Sequence, residues 1–532
     1  MNEISSGYGL HVERDPEITC FSTGHDVMRL TVNEGFIMVE DPWLGDFVIT
    51  DPVSYDLFTT TSFFRSLGVS QLCKSRESST IPNLASFNRG WGLIAQHELV
   101  ERFGHMQGLS PERIQAIHID VEGDDQAHPA FSHQLEQAVQ NWGGPEDWHE
   151  VIWPRIANLG GFTGVLDRYG IPYDEKIRVP GIEVPEWAKA KDRRDIDVDR
   201  LQYIAAEALL WFDHEYVDPQ VREKVKKAVD LSNYELTPDG QLAIMDEEAA
   251  LVLSKLLLLF AAEHYNDPLN RTHLHLGIHA VQHSIMSRRL SWMDEVDKGQ
   301  TRTPISYFHA IDQDFNDALV TGPGSTDTFI YLISNELNSS GMEERKKFTN
   351  YRLAEYARFI LDDKAENYPS DYLGPKRVEF GPKSSTVHTE VVELTDEERA
   401  VLDQVKIPRL DNSDALSYLV GPLKNRYIDP LVRRGDGYVR LSEIPNSPYP
   451  KLLAEQQYLQ SLGVRVTFAF PKDYGAEFRQ GMMQNDKDFS DLIDREQMTN
   501  DQFRAMLEHG ARRARQIHVG AGSLIVKREL DS

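Results

Sequence analysis

The stretch Asp124-Asp125-Gln126-Ala127-His128-Pro129-Ala130-Phe131-Ser132-His133 gathers the side chains that metal-assisted and acid–base chemistry use. If it opens as the end of a helix, Asp124 and Asp125 precede His128 by four and three residues, so the three can converge on one site. Adjacent carboxylates with imidazoles nearby suit a divalent cation and a proton carrier. Read alone, the segment also fits a solvated acidic pair followed by a His-Pro turn.

The elements that must position this stretch are mainly helical. Phe58, Phe63, Phe64, Leu67 and Leu72 recur at roughly helical spacing, and Leu93 to Phe103 continues the pattern. Ser110-Pro111-Glu112-Arg113 predicts a helix start, with Ser as N-cap and Pro in the first turn. Further helices are expected over 133–141, 148–159, 198–212, 218–229, 246–265 and 272–293, with 231–245 a turn around Pro238-Asp239-Gly240. Alternation from Val39 to Phe47 suits a short strand or hairpin. Pro, Gly and Ser cluster between 365 and 400 as a linker. Beyond it come a helix near 395–405, a strand near 464–470, a helix near 500–515 and a strand near 522–528. The expected fold class is mainly α, with a small N-terminal strand region and an α+β C-terminal region. The expected parts are an extension over 1–38, a helical core over 39–340, helix and linker over 341–395, and the C-terminal region over 396–532.

The chain has 532 residues and a net charge of −28. At about 150 residues per domain, that length allows two to four domains. The charge argues against a surface for non-specific nucleic-acid binding, which needs basic stripes, but leaves room for a locally basic nucleotide pocket. Two cysteines, Cys20 and Cys73, exclude a disulfide framework and a cysteine-based zinc site. The N-terminus has no basic and apolar leader, and Ala249–Ala262 is too short to span a bilayer. A soluble, cytoplasmic protein without membrane partners is the expectation.

The order of the surrounding text resembles the HD-domain deoxynucleoside triphosphate triphosphohydrolases. The family's opening strand matches Asp41-Pro42-Trp43-Leu44-Gly45, and its next helix matches Thr60-Thr61-Ser62-Phe63-Phe64-Arg65-Ser66-Leu67, followed by Ser70-Gln71-Leu72. Its His-x-Arg-Phe-Glu-His motif falls on Phe87-Asn88-Arg89-Gly90-Trp91-Gly92, and its His-Asp motif on Asp124–His133. Trp148-His149-Glu150 and Val198-Asp199-Arg200-Leu201-Gln202-Tyr203 match two later motifs. The resemblance spans roughly 40–300 and implies an HD-domain helical core and a homo-oligomer.

In that family two His and two Asp hold the metal. Their counterparts here are Gly92, Asp124, Asp125 and Asp199, so half the ligand set is altered. The resemblance leaves Asp124, Asp125 and Asp199 as a carboxylate-rich site for Mg²⁺, Mn²⁺ or Fe²⁺, with oxygen donors favouring Mg²⁺, Ca²⁺ or Mn²⁺, or leaves the site empty. It implies catalytic roles for His128 and His149 and substrate contacts for Arg89, His133 and Tyr203. Gln202, Ala206 and Glu207 depart from the family pattern, which puts deoxynucleotide recognition in particular in question. Two readings follow: a phosphohydrolase acting on a nucleotide or related phosphate ester, and an inactive member that binds a nucleotide or serves as a scaffold.

Other residues offer less. His97 lies five residues beyond Gly92, about 140° around the helix, and so substitutes poorly for the missing ligand. His118 and Asp120 sit upstream of Asp124. His275, His279 and His283 read as a polar helix face, Gly322–Thr326 as a turn, and the cluster Arg512, Arg513 and Arg515 as a solvated face.

Overall fold

A computed structural model describes residues 28–71, 88–133, 147–213, 217–261, 303–315, 355–369, 376–380, 385–404, 416–421, 427–469 and 498–520, with shorter pieces between and after them. The expected helix over 272–293, with its histidine row, and the Gly322–Thr326 turn lie outside the described residues, Arg271 and Thr272 excepted.

The described architecture is helix-rich with small sheets. In chain order the elements are strands β1 (Arg29–Asn33), β2 (Phe36–Glu40) and β3 (Phe47–Ile49), then helices α1 (Pro52–Leu57), α2 (Thr61–Ser66), α3 (Arg89–Met106) and α4 (Pro111–Asp124). Helices α5 (Trp148–Leu159), α6 (Phe162–Tyr169), α7 (Val198–Phe212) and α8 (Pro219–Val229) follow. A hairpin of β4 (Tyr234–Leu236) and β5 (Leu242–Ile244) precedes α9 (Glu247–Phe260) and β6 (Thr303–Pro304). The remainder comprises β7 (Lys376–Phe380), β8 (Ser385–Val392), α10 (Asp396–Gln404), β9 (Leu416–Val420), β10 (Leu431–Arg434), β11 (Gly437–Arg440), α11 (Tyr449–Ser461), β12 (Gly463–Ala469), β13 (Ile493–Asp494), α12 (Asn500–Gly520) and β14 (Leu524–Val526).

Helix ends follow local chemistry. The side chain of Ser110 accepts from the Arg113 N–H at the start of α4, and Asn88 accepts from the Trp91 N–H at the start of α3. In α9, Asp246 caps the Ala249 N–H and two glutamates fill the first turn. That helix is buried all round, which includes Lys255. The Lys255 ammonium donates to the carbonyls of Phe359 (2.8 Å) and Asp362 (2.7 Å), and burial lowers its pKa to about 8.

Three features depart from the sequence reading. The segment 231–245 is a β-hairpin, because strands flank the Pro238-Asp239-Gly240 turn and β5 pairs in parallel with β10. The stretch expected as a linker contains β7 and β8, which form one antiparallel sheet with β12 and β9 in the order β7-β8-β12-β9. Val387, Val420, Val464 and Val466 give that sheet an apolar face. The arginines of α12 are not all solvated: Arg513 pairs with buried Asp314 at 2.7 Å, and Arg515 lies 4.9 Å from the Phe64 ring centroid.

The C-terminal elements close the molecule onto its N-terminal part. Strand β14 pairs in parallel with β1, Leu30 opposite Leu524, and completes the sheet β14-β1-β2-β3. Helix α12 packs on α2, and its His518 Nε2 sits 2.8 Å from the Leu67 carbonyl. Among the described residues, no helix is long and apolar enough to cross a membrane.

Candidate functional site

Helix α4 ends at Asp124, and a short 3₁₀ turn over Asp125–Ala127 swings the chain toward His128. The loop that follows is held from several directions. Buried Arg65 of α2 donates to the carbonyls of Gln126 (2.9 Å), His128 (2.5 Å) and His309 (3.0 Å). Burial lowers the Arg65 pKa to about 10, so it keeps its charge at neutral pH. The carboxylate of Asp312 accepts from the N–H groups of Phe131 (2.7 Å) and Ser70 (2.9 Å). Phe131 and Ser132 adopt φ of 55° and 50°, a left-handed conformation that costs energy in non-glycine residues and persists here because the contacts fix it.

This scaffold brings three imidazoles together. The His128 and His149 rings stack at 4.2 Å with 16° between planes, and His133 meets His128 edge-on at 4.8 Å. Glu136 joins two of them: its Oε1 is 2.5 Å from His149 Nδ1 and its Oε2 is 2.6 Å from His133 Nδ1. The same Oε1 accepts from the His149 backbone N–H, which lies in the first turn of α5. These two imidazoles outweigh burial and hold the Glu136 carboxyl far below the usual carboxylate range. His128 is pushed the other way: burial first, then the Arg89 charge, keeps it neutral well below the ordinary pKa of 6.5. Its Nε2 has no hydrogen-bond partner among the described residues. Access follows exposure, since the His133 side chain is 35% exposed, His149 13% and His128 3%.

Arg89, at the start of α3, borders the cluster. It donates to Asp125 Oδ1 at 2.6 Å and to Ser132 Oγ at 3.0 Å, and the Ser132 hydroxyl in turn donates to the Ser70 carbonyl. Asp125 Oδ1 also lies 3.4 Å from His128 Nδ1, while its Oδ2 is buried with no hydrogen-bond partner among the described residues.

Asp199, in the first turn of α7, accepts from Gln96 Nε2 at 3.0 Å. Desolvation, then the charges of Asp125 and Asp197, push its pKa up to about 7. Tyr203 is buried one turn further along α7. Asp124 closes α4, and its side chain lies outside the described residues. Thus Arg89, Asp125, His128, His133 and His149 form one connected site, and Asp199 on α7 feels the charge of Asp125 at the end of α4.

Gly92 shows why this site differs from an all-ligand arrangement. A Cβ built there would meet Gln71 Oε1 at 2.2 Å, so the Gln71 amide fills the space a side chain would need. Gln71 donates to Gln202 Oε1 at 3.0 Å, which places a neutral amide pair where the resemblance expects an imidazole. Gln71 Oε1 and Gln202 Nε2 have no further partner among the described residues.

At this site two donor sets could accept a divalent cation. Among the carboxylates, the open oxygen of Asp125 and the charge excess at Asp199 are features that a cation would offset. In the second set, one ligand atom each from His128, His133, Glu136 and His149 lies within 4.8 Å of the others. That set is rich in imidazole and suits transition metals better than Mg²⁺. A cavity of about 400 Å³ lined by Asp120, Arg178 and Lys191 lies apart from these histidines and lacks convergent chemistry.

The sequence carried Arg65 and Gln71 only as parts of matched motifs, without a role, and Glu136 and Asp312 not at all. Of the latter two, Glu136 offered a local signal, a glutamate three residues after His133 in helical text, which puts both on one face.

No family model matches the chain, and no curated protein does. Among solved structures it is similar to a phosphohydrolase from Bacteroides thetaiotaomicron, with 13% identity over 82% of this chain and 100% of that one, at a TM-score of 0.48. It is also similar to a hypothetical protein from Aquifex aeolicus, with 14% identity over 84% of this chain and 99% of that one, at a TM-score of 0.40. Similarity at this level assigns no activity, and the functional reading rests on the site's own chemistry.

Proposed function

We propose that this chain is a divergent phosphohydrolase-like protein of HD-domain type, which takes the phosphate of a nucleotide or related phosphate ester beside His128, His133 and His149. The observation that carries the reading is the gathering of three imidazoles around Glu136 next to Arg89. Phosphoryl transfer asks a protein chiefly for positioning, positive charge and managed protons.

In this reading His133, at the open edge, and Arg89 bind the phosphate oxygens, with Tyr203 toward the rest of the substrate. Neutral His128 takes a proton from the attacking water at its open Nε2 as the new P–O bond forms. His149, oriented through Nδ1 by Glu136, gives a proton to the leaving oxygen as the ester bond breaks. Asp125 and Asp199, with Asp124, are the carboxylates that would hold a divalent ion, which when bound polarises the phosphate.

A second reading, binding without turnover, is favoured by the Gln71 amide against Gly92 and by the Arg89–Asp125 ion pair. Phosphate release from a nucleotide panel with Mg²⁺, Mn²⁺ or Fe²⁺ separates the two. Hydrolysis predicts turnover lost in both His128→Ala and His149→Ala. Absence of turnover with every substrate and metal rejects hydrolysis.

A further inference from the structure

A second histidine–glutamate centre lies between α3 and α4, built from different residues. His97 and Glu101 are four apart on α3, and His118 and Glu122 are four apart on α4, so each helix presents one imidazole and one carboxylate on a single face. The short loop over Gln107–Ser110 folds the two faces together. The imidazoles of His97 and His118 stack at 4.0 Å with 20° between planes. Glu122 Oε1 lies 2.7 Å from His97 Nδ1 and 3.3 Å from His118 Nδ1, and Glu101 Oε1 lies 2.9 Å from His118 Nε2.

We propose that this centre is a binding site for a divalent transition cation of the Zn²⁺ class, with His97, His118 and Glu101 as ligands and Glu122 as the buried fourth group. One ligand atom from each of His97, Glu101 and His118 already lies within 4.8 Å of the others. An independent pointer is Glu122: it is 0% exposed, and its Oε2 has no hydrogen-bond partner among the described residues. A buried carboxylate oxygen left open beside two imidazoles is a costly arrangement that a cation relieves. Two carboxylates and two imidazoles converging between α3 and α4 make a donor set of the kind a divalent transition cation takes. The centre reaches the surface at Glu101, whose side chain is 32% exposed beside His105, 3.2 Å away and 67% exposed. The Phe58 ring, edge-on to His97 at 5.4 Å, closes part of the inner side. Bound there, the ion staples α3 to α4 and steadies the two helices whose ends carry Arg89 and Asp125.

The full-length chain, stripped with a chelator and titrated with Zn²⁺ alone, tests this. Bound Zn²⁺ and the accompanying rise in Tm are read in wild type and in His97→Gln, His118→Gln and His149→Gln. The equivalent of Zn²⁺ held by His97 and His118, with its Tm rise, is expected to vanish in the first two variants and to persist in His149→Gln, which alters only the other imidazole-rich donor set. Glu101→Gln, at the exposed rim, keeps the test decisive if a buried variant fails to fold, and is expected to weaken Zn²⁺ binding about tenfold or more. Failure of wild type to bind Zn²⁺, or unchanged binding in His118→Gln or Glu101→Gln, overturns the proposal.

Discussion

At the scale of the residue, the site is a balance of opposed charges. Glu136 is kept ionised by two imidazoles, while His128, 4.2 Å from His149, is kept neutral by burial and Arg89. Asp199 sits on the other side of that balance. Its pKa rises from 3.8 to about 7, so the folded state binds its proton more tightly than the unfolded chain. Its stabilising contribution is therefore full below pH 3.8 and is lost as pH rises toward about 7. Urea unfolding followed from pH 4 to 8 is expected to show Asp199→Asn with a flatter decline than wild type and greater relative stability at the alkaline end. An unchanged slope would mean that Asp199 ionises freely. The acid–base candidates His128 and His149 were legible in the sequence because their neighbours Asp125, Ser132 and Trp148 surround them in recognisable text. Glu136 was not, because a glutamate in helical text ordinarily faces water.

At the scale of the element, tight packing decides what can stand at each site position. Gly92 lies in the first turn of α3 under the Gln71 amide, and a methyl group there would meet the amide oxygen at 2.2 Å unless that side chain turned away from Gln202. Gly92→Ala is expected to cost about 1–3 kcal/mol through overpacking, and the pair Gly92→Ala with Gln71→Ala to recover part of that loss. Thermal unfolding of the two singles and the double measures the coupling; strict additivity would show that Gln71 is not what fills the space. Capping text made α4 legible, since Ser110 acts on the N–H three residues on, while periodic apolar residues marked α3 from Leu93 onward. The left-handed pair Phe131 and Ser132 was illegible, because it is imposed by Asp312, 181 residues from Phe131 along the chain. The hairpin of β4 and β5 was read only as a turn, since three-residue strands carry too few positions to show alternation.

At the scale of the whole molecule, the two ends of the described chain meet at the site's support. Helix α12 packs on α2, which carries Arg65, and β14 extends the sheet begun by β1. Phe503, Met506, Leu507, Ala511 and Ala514 of α12 are buried. A truncation ending at residue 499 is expected to lose cooperative unfolding and to become protease-sensitive within residues 28–71, as seen by circular dichroism and limited proteolysis. A truncated chain that unfolds cooperatively at the wild-type temperature would show that α12 is dispensable. Such pairings were illegible in the sequence, because contacts of this separation leave no periodic trace in either partner. The −28 charge, legible from the start, acquires a local meaning at Asp199, whose pKa is pushed up by burial and then by the charges of Asp125 and Asp197.

The central claim is that a phosphate ester binds beside the three imidazoles. Its most direct test is equilibrium binding of a panel of nucleoside triphosphates to the full chain and to His149→Ala, measured by calorimetry. At least one nucleotide is expected to bind wild type and to bind the variant about tenfold more weakly or worse. Binding that His149→Ala leaves intact, or no binding by wild type across the panel, would contradict it.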